Sequence, residues 1–148
     1  MHVSHLEPRA PYSSAKRGNL RMFFGGSAGF TAVRTMLEAA AAAQQTGVDV
    51  VVGLVTSCGS CVIDRLLCGF ECLPALHSSL GAKYSARIDV DAVKKRGPAI
   101  LLVDTRVLPS SETGRRTHST HNDDSWADIE GVLASGISVW ETLDATGL

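Results

Sequence analysis

The chain has 148 residues, of which 45% are hydrophobic and 20% are charged, and its formal net charge at pH 7 is −1. This length and composition are typical of one globular domain with an apolar core. A net charge so close to zero excludes proteins that bind nucleic acid or an anionic membrane through a general basic field. The longest apolar stretch, Val48 to Val55, is far shorter than the roughly 20 residues of a membrane span. The N-terminal residues lack the apolar segment of a secretory signal, so the sequence predicts a cytoplasmic protein without direct membrane insertion.

The first part of the chain alternates between polar, apolar and alanine-rich segments. Residues 1–19 are polar with several turn-forming residues, and they are predicted to be a flexible lead-in to one domain over residues 20–148. Leu20 to Phe24 is a short apolar run before a glycine pair, which is typical of a buried strand. Residues 35–45 are rich in alanine and predict a helix. The β-branched run at residues 48–55 predicts a strand that is covered on both faces.

The middle of the chain continues this alternation. A second helix is predicted over residues 62–70, and a short one over residues 90–95 that ends before a Gly-Pro stop signal. Residues 73–85, between the two helices, are predicted to be irregular. Residues 99–103 predict another buried strand, which ends at Asp104.

The last part of the chain adds one more helix and one more strand. Residues 105–123 are predicted to form a long polar loop, residues 126–134 a helix and residues 137–140 a strand. The order of elements predicts a three-layer α/β domain in which helices cover both faces of a parallel sheet. Trp126 and Trp140 are interpreted as core residues.

Eight short segments, spread in order along the chain, carry a resemblance to one family. They are residues 17–25, 23–40, 47–53, 73–74, 89–92, 98–104, 126–130 and 136–139. Over this span the chain resembles the N-terminal sensor domain of the KdpD potassium-responsive histidine kinases. The resemblance implies a P-loop-NTPase-like topology and a role in two-component signal transduction and osmosensing. It also implies a protein partner, such as a sensor kinase or a response regulator. The histidine kinase core has no counterpart in this sequence, so no catalytic residue is predicted.

The loop after the first predicted strand corresponds to the phosphate-binding loop of that family. In such a loop, backbone N–H groups and a helix N-terminus hold phosphates, a Lys reaches the terminal phosphates, and a Ser or Thr binds Mg²⁺. The family's Gly-Lys-Thr falls on Thr31, Ala32 and Val33. Arg34 lies two residues past the lost Lys and would point to another side of the helix. The residues that the resemblance implies as remnants of a nucleotide site are Gly25, Gly26, Gly29 and Thr31.

The resemblance also implies that Asp104 keeps a strand-end carboxylate that helps to hold Mg²⁺. The neighbouring acidic residue of the family is Thr105 here, and residues 55–60 lack the family's carboxylate, imidazole and guanidinium. We therefore expect a sensory or regulatory domain with impaired nucleotide binding and without a resident cofactor. The alternative is a regulatory domain that still binds ATP and Mg²⁺ weakly through the loop backbone.

Four cysteines within a short stretch suggest a second alternative, a zinc-stabilised protein-binding module. Their pattern is C-x2-C-x6-C-x3-C, and its first pair has the spacing of zinc ligands. The preferred interpretation is structural, because Cys61, Cys68 and Cys72 would lie near one face of a continued helix and buried cysteine behaves as a small hydrophobic residue. The candidate ligands of a mixed zinc site are Cys58, Cys61, His118 and His121.

The strand predicted at residues 137–140 is the last one in the sequence. Because the domain of the resembled family continues beyond the corresponding point, we expect this strand and Trp140 to form an uncovered edge of the sheet. An uncovered apolar edge favours self-association.

Overall fold

The fold is known from a computed structural model, which describes residues 16–25, 30–55, 59–80, 83–104 and 120–144. Within these ranges the chain forms seven strands and four helices. The strands are β1 (Leu20–Gly25), β2 (Val50–Leu54), β3 (Glu71–Cys72), β4 (Leu76–Leu80), β5 (Lys83–Arg87), β6 (Ile100–Asp104) and β7 (Ser138–Asp144). The helices are α1 (Phe30–Gln45), α2 (Cys61–Leu67), α3 (Val90–Arg96) and α4 (Thr120–Ala134).

A five-stranded parallel sheet forms the middle layer, and its strand order is β1-β7-β6-β2-β3. Helices α1 and α2 pack on one face of the sheet, and α3 and α4 pack on the other. We call these the α1 face and the α4 face. Strands β4 and β5 pair with each other in an antiparallel hairpin. The prediction of an α/β domain with helices on both faces of a parallel sheet is confirmed.

The inner strands of the sheet are buried on both faces. In β6, Ile100 and Leu102 lie on the α1 face, whereas Leu101 and Val103 lie on the α4 face, and none of the four is more than 9% exposed. A strand between two helix layers does not need polar residues at alternate positions, because neither of its faces meets water. The continuous apolar runs of the sequence therefore reflect burial between two helix layers.

The region between the second predicted helix and β6 differs from its prediction. Residues 73–85 are not irregular, because β4 and β5 form a hairpin in which Leu76 is in register with Arg87. Helix α2 ends at Leu67, before the predicted end at residue 70, and the short strand β3 follows. Helix α4 also starts at Thr120, inside the region predicted to be a loop.

The expected uncovered edge at the last strand is wrong. β7 lies between β1 and β6 and pairs with both of them, and Val139 is fully buried. The two edges of the sheet are β1 and β3. Trp140 packs against Phe23 with 5.5 Å between ring centroids, whereas Trp126 is 48% exposed and is not a core residue. A last strand in sequence is thus an inner strand in space, because long-range pairing sets strand order.

Candidate functional site

The candidate site lies where β1, β7 and β6 end side by side at the carboxyl edge of the sheet. Phe23 of β1 is in register with Thr142 of β7, which is in register with Asp104 of β6. Because neighbouring strands lie about 4.8 Å apart, Asp104 is about 10 Å from the backbone of β1. Helix α1 begins at Phe30, five positions after Gly25 ends β1. In parallel α/β sheets, ligands bind at this edge.

Asp104 and Thr142 form a buried polar pair at this edge. The Thr142 hydroxyl donates a hydrogen bond of 2.8 Å to the Asp104 carboxylate, and the two residues are 0% and 2% exposed. Burying a carboxylate is costly unless donors stabilise it, so this hydrogen bond helps to hold Asp104 in place. Side chains alternate along a strand, which puts Asp104 on the α1 face with Leu102. A carboxylate oxygen at this point is chemically suited to Mg²⁺.

Thr142 was not among the residues predicted from the sequence. The predicted strand stopped at Trp140, so the residues after it were not considered as strand residues. In the sequence, its hydroxyl group was the one feature that could have marked Thr142 as a site residue. Only the structure shows that Thr142 lies in the strand next to the one that ends at Asp104.

Gly25 ends β1 in close contact with the first turn of α1. A Cβ atom at this position would lie 2.9 Å from the Ala32 Cβ and 3.0 Å from the Ala32 backbone nitrogen. A side chain at position 25 would therefore push the helix away from the strand. The other two glycines of the predicted remnant, Gly26 and Gly29, lie outside the described residues.

The first turn of α1 is packed with small apolar side chains. Ala32 is 4% exposed and Val33 is fully buried, whereas Thr31 is exposed. The nearest cation along the helix is Arg34, whose Nε donates to the Glu38 carboxylate at 3.0 Å. That ion pair runs along the exposed surface of α1. Within residues 30–45, no Lys is present to supply the charge of a phosphate-binding loop.

Glu141, next to Thr142 on β7, points to the opposite face of the sheet. It is in register with Met22 on one side and with Val103 on the other, and it is only 3% exposed. Burial among these apolar neighbours raises the pKa of the Glu141 carboxyl to about 7. Glu141, like Thr142, lies beyond the strand that the sequence predicts at residues 137–140. A glutamate directly after the predicted strand was the only signal in the sequence, and its apolar neighbours Met22 and Val103 are apparent only from the register.

The cysteines do not follow the preferred interpretation from the sequence. Cys61, Cys68 and Cys72 are exposed thiols and not buried core residues. Cys68 caps the end of α2 and Cys72 lies in β3, so the helix does not continue to bring them onto one face. The Cys72 sulfur is still partly shielded from water, and this desolvation, followed by the charge of Cys68, raises the pKa of the Cys72 thiol.

Most of the zinc ligands that the sequence suggests lie outside the residues or side chains that the structure describes. Cys58 and His118 lie outside the described residues, and His121 belongs to α4 without a described side chain. Among the residues that the structure describes, no three His, Cys, Asp or Glu side chains group as metal ligands.

Comparison with known proteins gives the family. The family model of the osmosensitive K⁺ channel His kinase sensor domain, KdpD, matches residues 16–148. The chain belongs to this family. Sensor protein KdpD of Escherichia coli (strain K12) is 33% identical over 132 residues, which are 89% of this chain and 14% of that protein. The resemblance found in the sequence is therefore confirmed.

Two further relatives give a similar picture. Sensor protein KdpD of Mycobacterium tuberculosis (strain H37Rv) is 30% identical over 131 residues, which are 88% of this chain and 14% of that protein. Putative sensor protein KdpD of Synechocystis sp. is 28% identical over 149 residues, which are 97% of this chain and 38% of that protein. The chain thus spans only a small part of these relatives. Among the described residues, no helix combines the length and hydropathy needed to cross a membrane.

Proposed function

We propose that this chain is a sensory input domain of two-component signalling, that it acts through protein contacts, and that its nucleotide binding is impaired. The family supports the sensory part, because the matching relatives are named sensor proteins. The family description also makes potassium and osmotic stress the signals to test first. A sensor kinase or a response regulator is the proposed partner.

The packing of the first turn of α1 carries the proposal of impaired nucleotide binding. A phosphate-binding loop needs a Lys for the terminal phosphates and a hydroxyl for Mg²⁺ at its helix start. The corresponding positions hold Ala32, which packs against Gly25, and Val33, which is fully buried. Arg34 is engaged with Glu38 and does not replace the missing charge.

The alternative, weak binding of ATP and Mg²⁺ within a P-loop-like topology, has one observation in its favour. Asp104 and Thr142 still form a buried pair on the α1 face at the carboxyl edge. Asp104 lies two strands from β1, whose end leads into α1, and Thr142 lies on β7, the strand between them. A carboxylate in this position could hold a metal ion near phosphates bound at the start of α1. Metal and backbone contacts alone would then have to supply the affinity.

Titration calorimetry with ATP and Mg²⁺ tests the nucleotide part. We expect a dissociation constant no tighter than the high micromolar range, and a value below about 10 μM, or roughly −7 kcal/mol, would overturn impaired binding. The triple variant Thr31→Gly, Ala32→Lys, Val33→Thr should bind ATP at least about tenfold more tightly, a gain of about 1.4 kcal/mol.

The matched control is Thr31→Gly, Ala32→Met, Val33→Thr, which keeps side-chain length at position 32 without the charge. Circular dichroism of each variant shows whether the fold is retained. A folded Lys variant that binds ATP no better than the Met control would contradict the P-loop-like topology itself.

A chimaeric sensor tests the signalling part. In the E. coli relative, this chain would replace the matched region, and autophosphorylation would be measured at low and high potassium. We expect a response to potassium that a version without the region lacks. Equal output from the chimaera and the deleted version, with both proteins folded, would contradict a sensory role.

A further inference from the structure

β1 is an edge strand, and the elements that the structure describes fully cover only one of its faces. On the α1 face, Phe23 is 7% exposed and packs in the core beside α1. Arg21 adds cover there, since its guanidinium lies 4.7 Å from the Phe23 ring centroid and 4.8 Å from that of Trp140. The α1 face of this edge is therefore closed by a helix and a stacked cation.

On the α4 face, the described residues leave the carboxyl end of β1 uncovered. Leu20 packs partly against the core on this face, and the alternation of side chains puts Met22 and Phe24 on the same side. Phe24 is 66% exposed, which is the largest exposure among the big apolar side chains of the described residues. Leu20, Met22 and Phe24 thus form an apolar strip, and no described helix covers its Phe24 end.

Helix α4 borders this strip on its inner side. Glu130 of α4 accepts a hydrogen bond of 2.7 Å from Arg17, which lies just before β1. Trp126 is four residues before Glu130, so it lies on the same side of the helix and one turn nearer the carboxyl edge of the sheet. Trp126 is 48% exposed. The strip of β1 and this side of α4 together bound a groove with apolar floor and wall, which we call the β1 groove.

Within the described part of the chain, no strand pairs with the outer side of β1. The Val139 N–H donates to the Asn19 carbonyl at 3.0 Å, so Asn19 faces β7. In a parallel ladder, alternate residues bond to opposite neighbours, which directs the backbone groups of Leu20, Met22 and Phe24 away from β7. The free edge therefore offers N–H and C=O groups to one further strand.

The right-handedness of crossover connections determines on which face of the sheet the helix of a further crossover beyond β1 would lie. The connections through α1 and α2 move along the sheet towards β3, and both helices lie on the α1 face. The connections through α3 and α4 move towards β1, and both helices lie on the α4 face. A further right-handed crossover that leads from β7 to a new strand beyond β1 also runs in the direction from β3 to β1. Its helix must therefore lie on the α4 face, in the β1 groove.

We propose that the β1 groove and the free edge of β1 bind one helix-then-strand unit, in which an amphipathic helix covers Phe24 and Trp126 and the strand pairs in parallel with β1. The occupant is the polypeptide that follows the matched region in the longer relatives. That region is 14% of the E. coli relative, so ample chain lies outside it. A crossover of this kind takes a dozen residues or more. This proposal does not depend on nucleotide binding.

A fusion protein tests the proposal without requiring tight binding between separate chains. About 40 residues that follow the matched region of the E. coli relative would be joined after Leu148, which is enough for one such unit. Hydrogen exchange would then compare the amides of Met22 and Phe24 with and without the added segment. We expect exchange to slow by at least about tenfold in the fusion, because a new partner strand protects these amides. Binding of an apolar dye should fall in parallel.

Phe24→Lys is the test variant, and Val62→Lys is its matched control on α2, where another large apolar side chain is 47% exposed. Phe24→Lys should abolish the protection in the fusion, whereas Val62→Lys should leave it unchanged. Unchanged exchange of Met22 and Phe24 in a folded fusion would overturn the proposal. Protection of the unfused chain that grows with protein concentration would also overturn it, because the occupant would then be a second copy.

Discussion

The carboxyl group of Glu141 couples the stability of this domain to pH. Its side chain is 3% exposed between Met22 and Val103, and no hydrogen bond or ion pair to it is found within the described residues. Burial raises its pKa from 4.5 to about 7, because desolvation penalises the charged form. The folded state therefore binds a proton more tightly than the unfolded state does.

The sign of the effect follows from proton linkage. Between pH 4.5 and pH 7 the folded state holds more protons than the unfolded state, so the free energy of unfolding falls as pH rises. Below this window the carboxyl is neutral in both states and costs nothing. Above it, the full penalty applies, and a shift of about 2.5 pH units corresponds to about 3 kcal/mol.

Replacement by the neutral isostere, Glu141→Gln, should remove this penalty. We expect the variant to match the wild type near pH 4 and to exceed its free energy of unfolding by about 3 kcal/mol near pH 8, which is an upper value. Urea unfolding at a series of pH values measures the difference. Glu38→Gln is the control, because Glu38 is a well exposed carboxylate on α1. Parallel pH profiles for wild type and Glu141→Gln would refute the reasoning, since they would mean that Glu141 is charged at little cost.

Three further substitutions test the packing of the site and of the sheet. Thr142→Val removes the hydroxyl that donates to Asp104 and should cost roughly 1–3 kcal/mol in urea unfolding, whereas Thr142→Ser should keep most of the stability. Gly25→Ala puts a Cβ 2.9 Å from that of Ala32 and should cost about 1–3 kcal/mol, whereas Gly69→Ala, with its nearest atom at 3.6 Å, should be tolerated. Arg96→Lys weakens the paired hydrogen bonds to Asp49 and Glu71, so the melting temperature should drop slightly at low salt and less in 1 M salt. An equal drop at both salt concentrations would contradict the electrostatic explanation.

The sequence was sufficient to predict the parallel sheet, because its strands carry long apolar runs that only burial on both faces explains. It was not sufficient for the hairpin of β4 and β5, since LHSSL and KYSAR are short and partly polar, and the Gly81-Ala82 pair between them is a weaker turn signal than Asn-Gly. The place of β7 between β1 and β6 depends on pairing between residues more than 100 positions apart, which no local pattern records.

The candidate site was predictable only in part for a related reason. Gly25 and Asp104 each come at the end of an apolar run, which marks the end of a strand. The family resemblance then implies a role for both residues in a nucleotide site. Thr142 and Glu141 belong to the site because β7 lies between β1, which carries Gly25, and β6, which carries Asp104. Their contribution could not be read from the sequence before the strand order was known.

The position of β7 also keeps the two proposals experimentally separate. Adjacent residues of a strand point to opposite faces, so Thr142 faces the start of α1 with Asp104, whereas Glu141 faces the α4 side beside Met22. A substitution at position 142 therefore disturbs the proposed nucleotide edge and leaves the floor of the β1 groove in place. A substitution at position 141 does the reverse. If Thr142→Val changes ATP binding but not the protection of Met22 in the fusion, and Glu141→Gln changes the protection of Met22 but not ATP binding, then the nucleotide edge and the β1 groove work independently on the two faces of one strand.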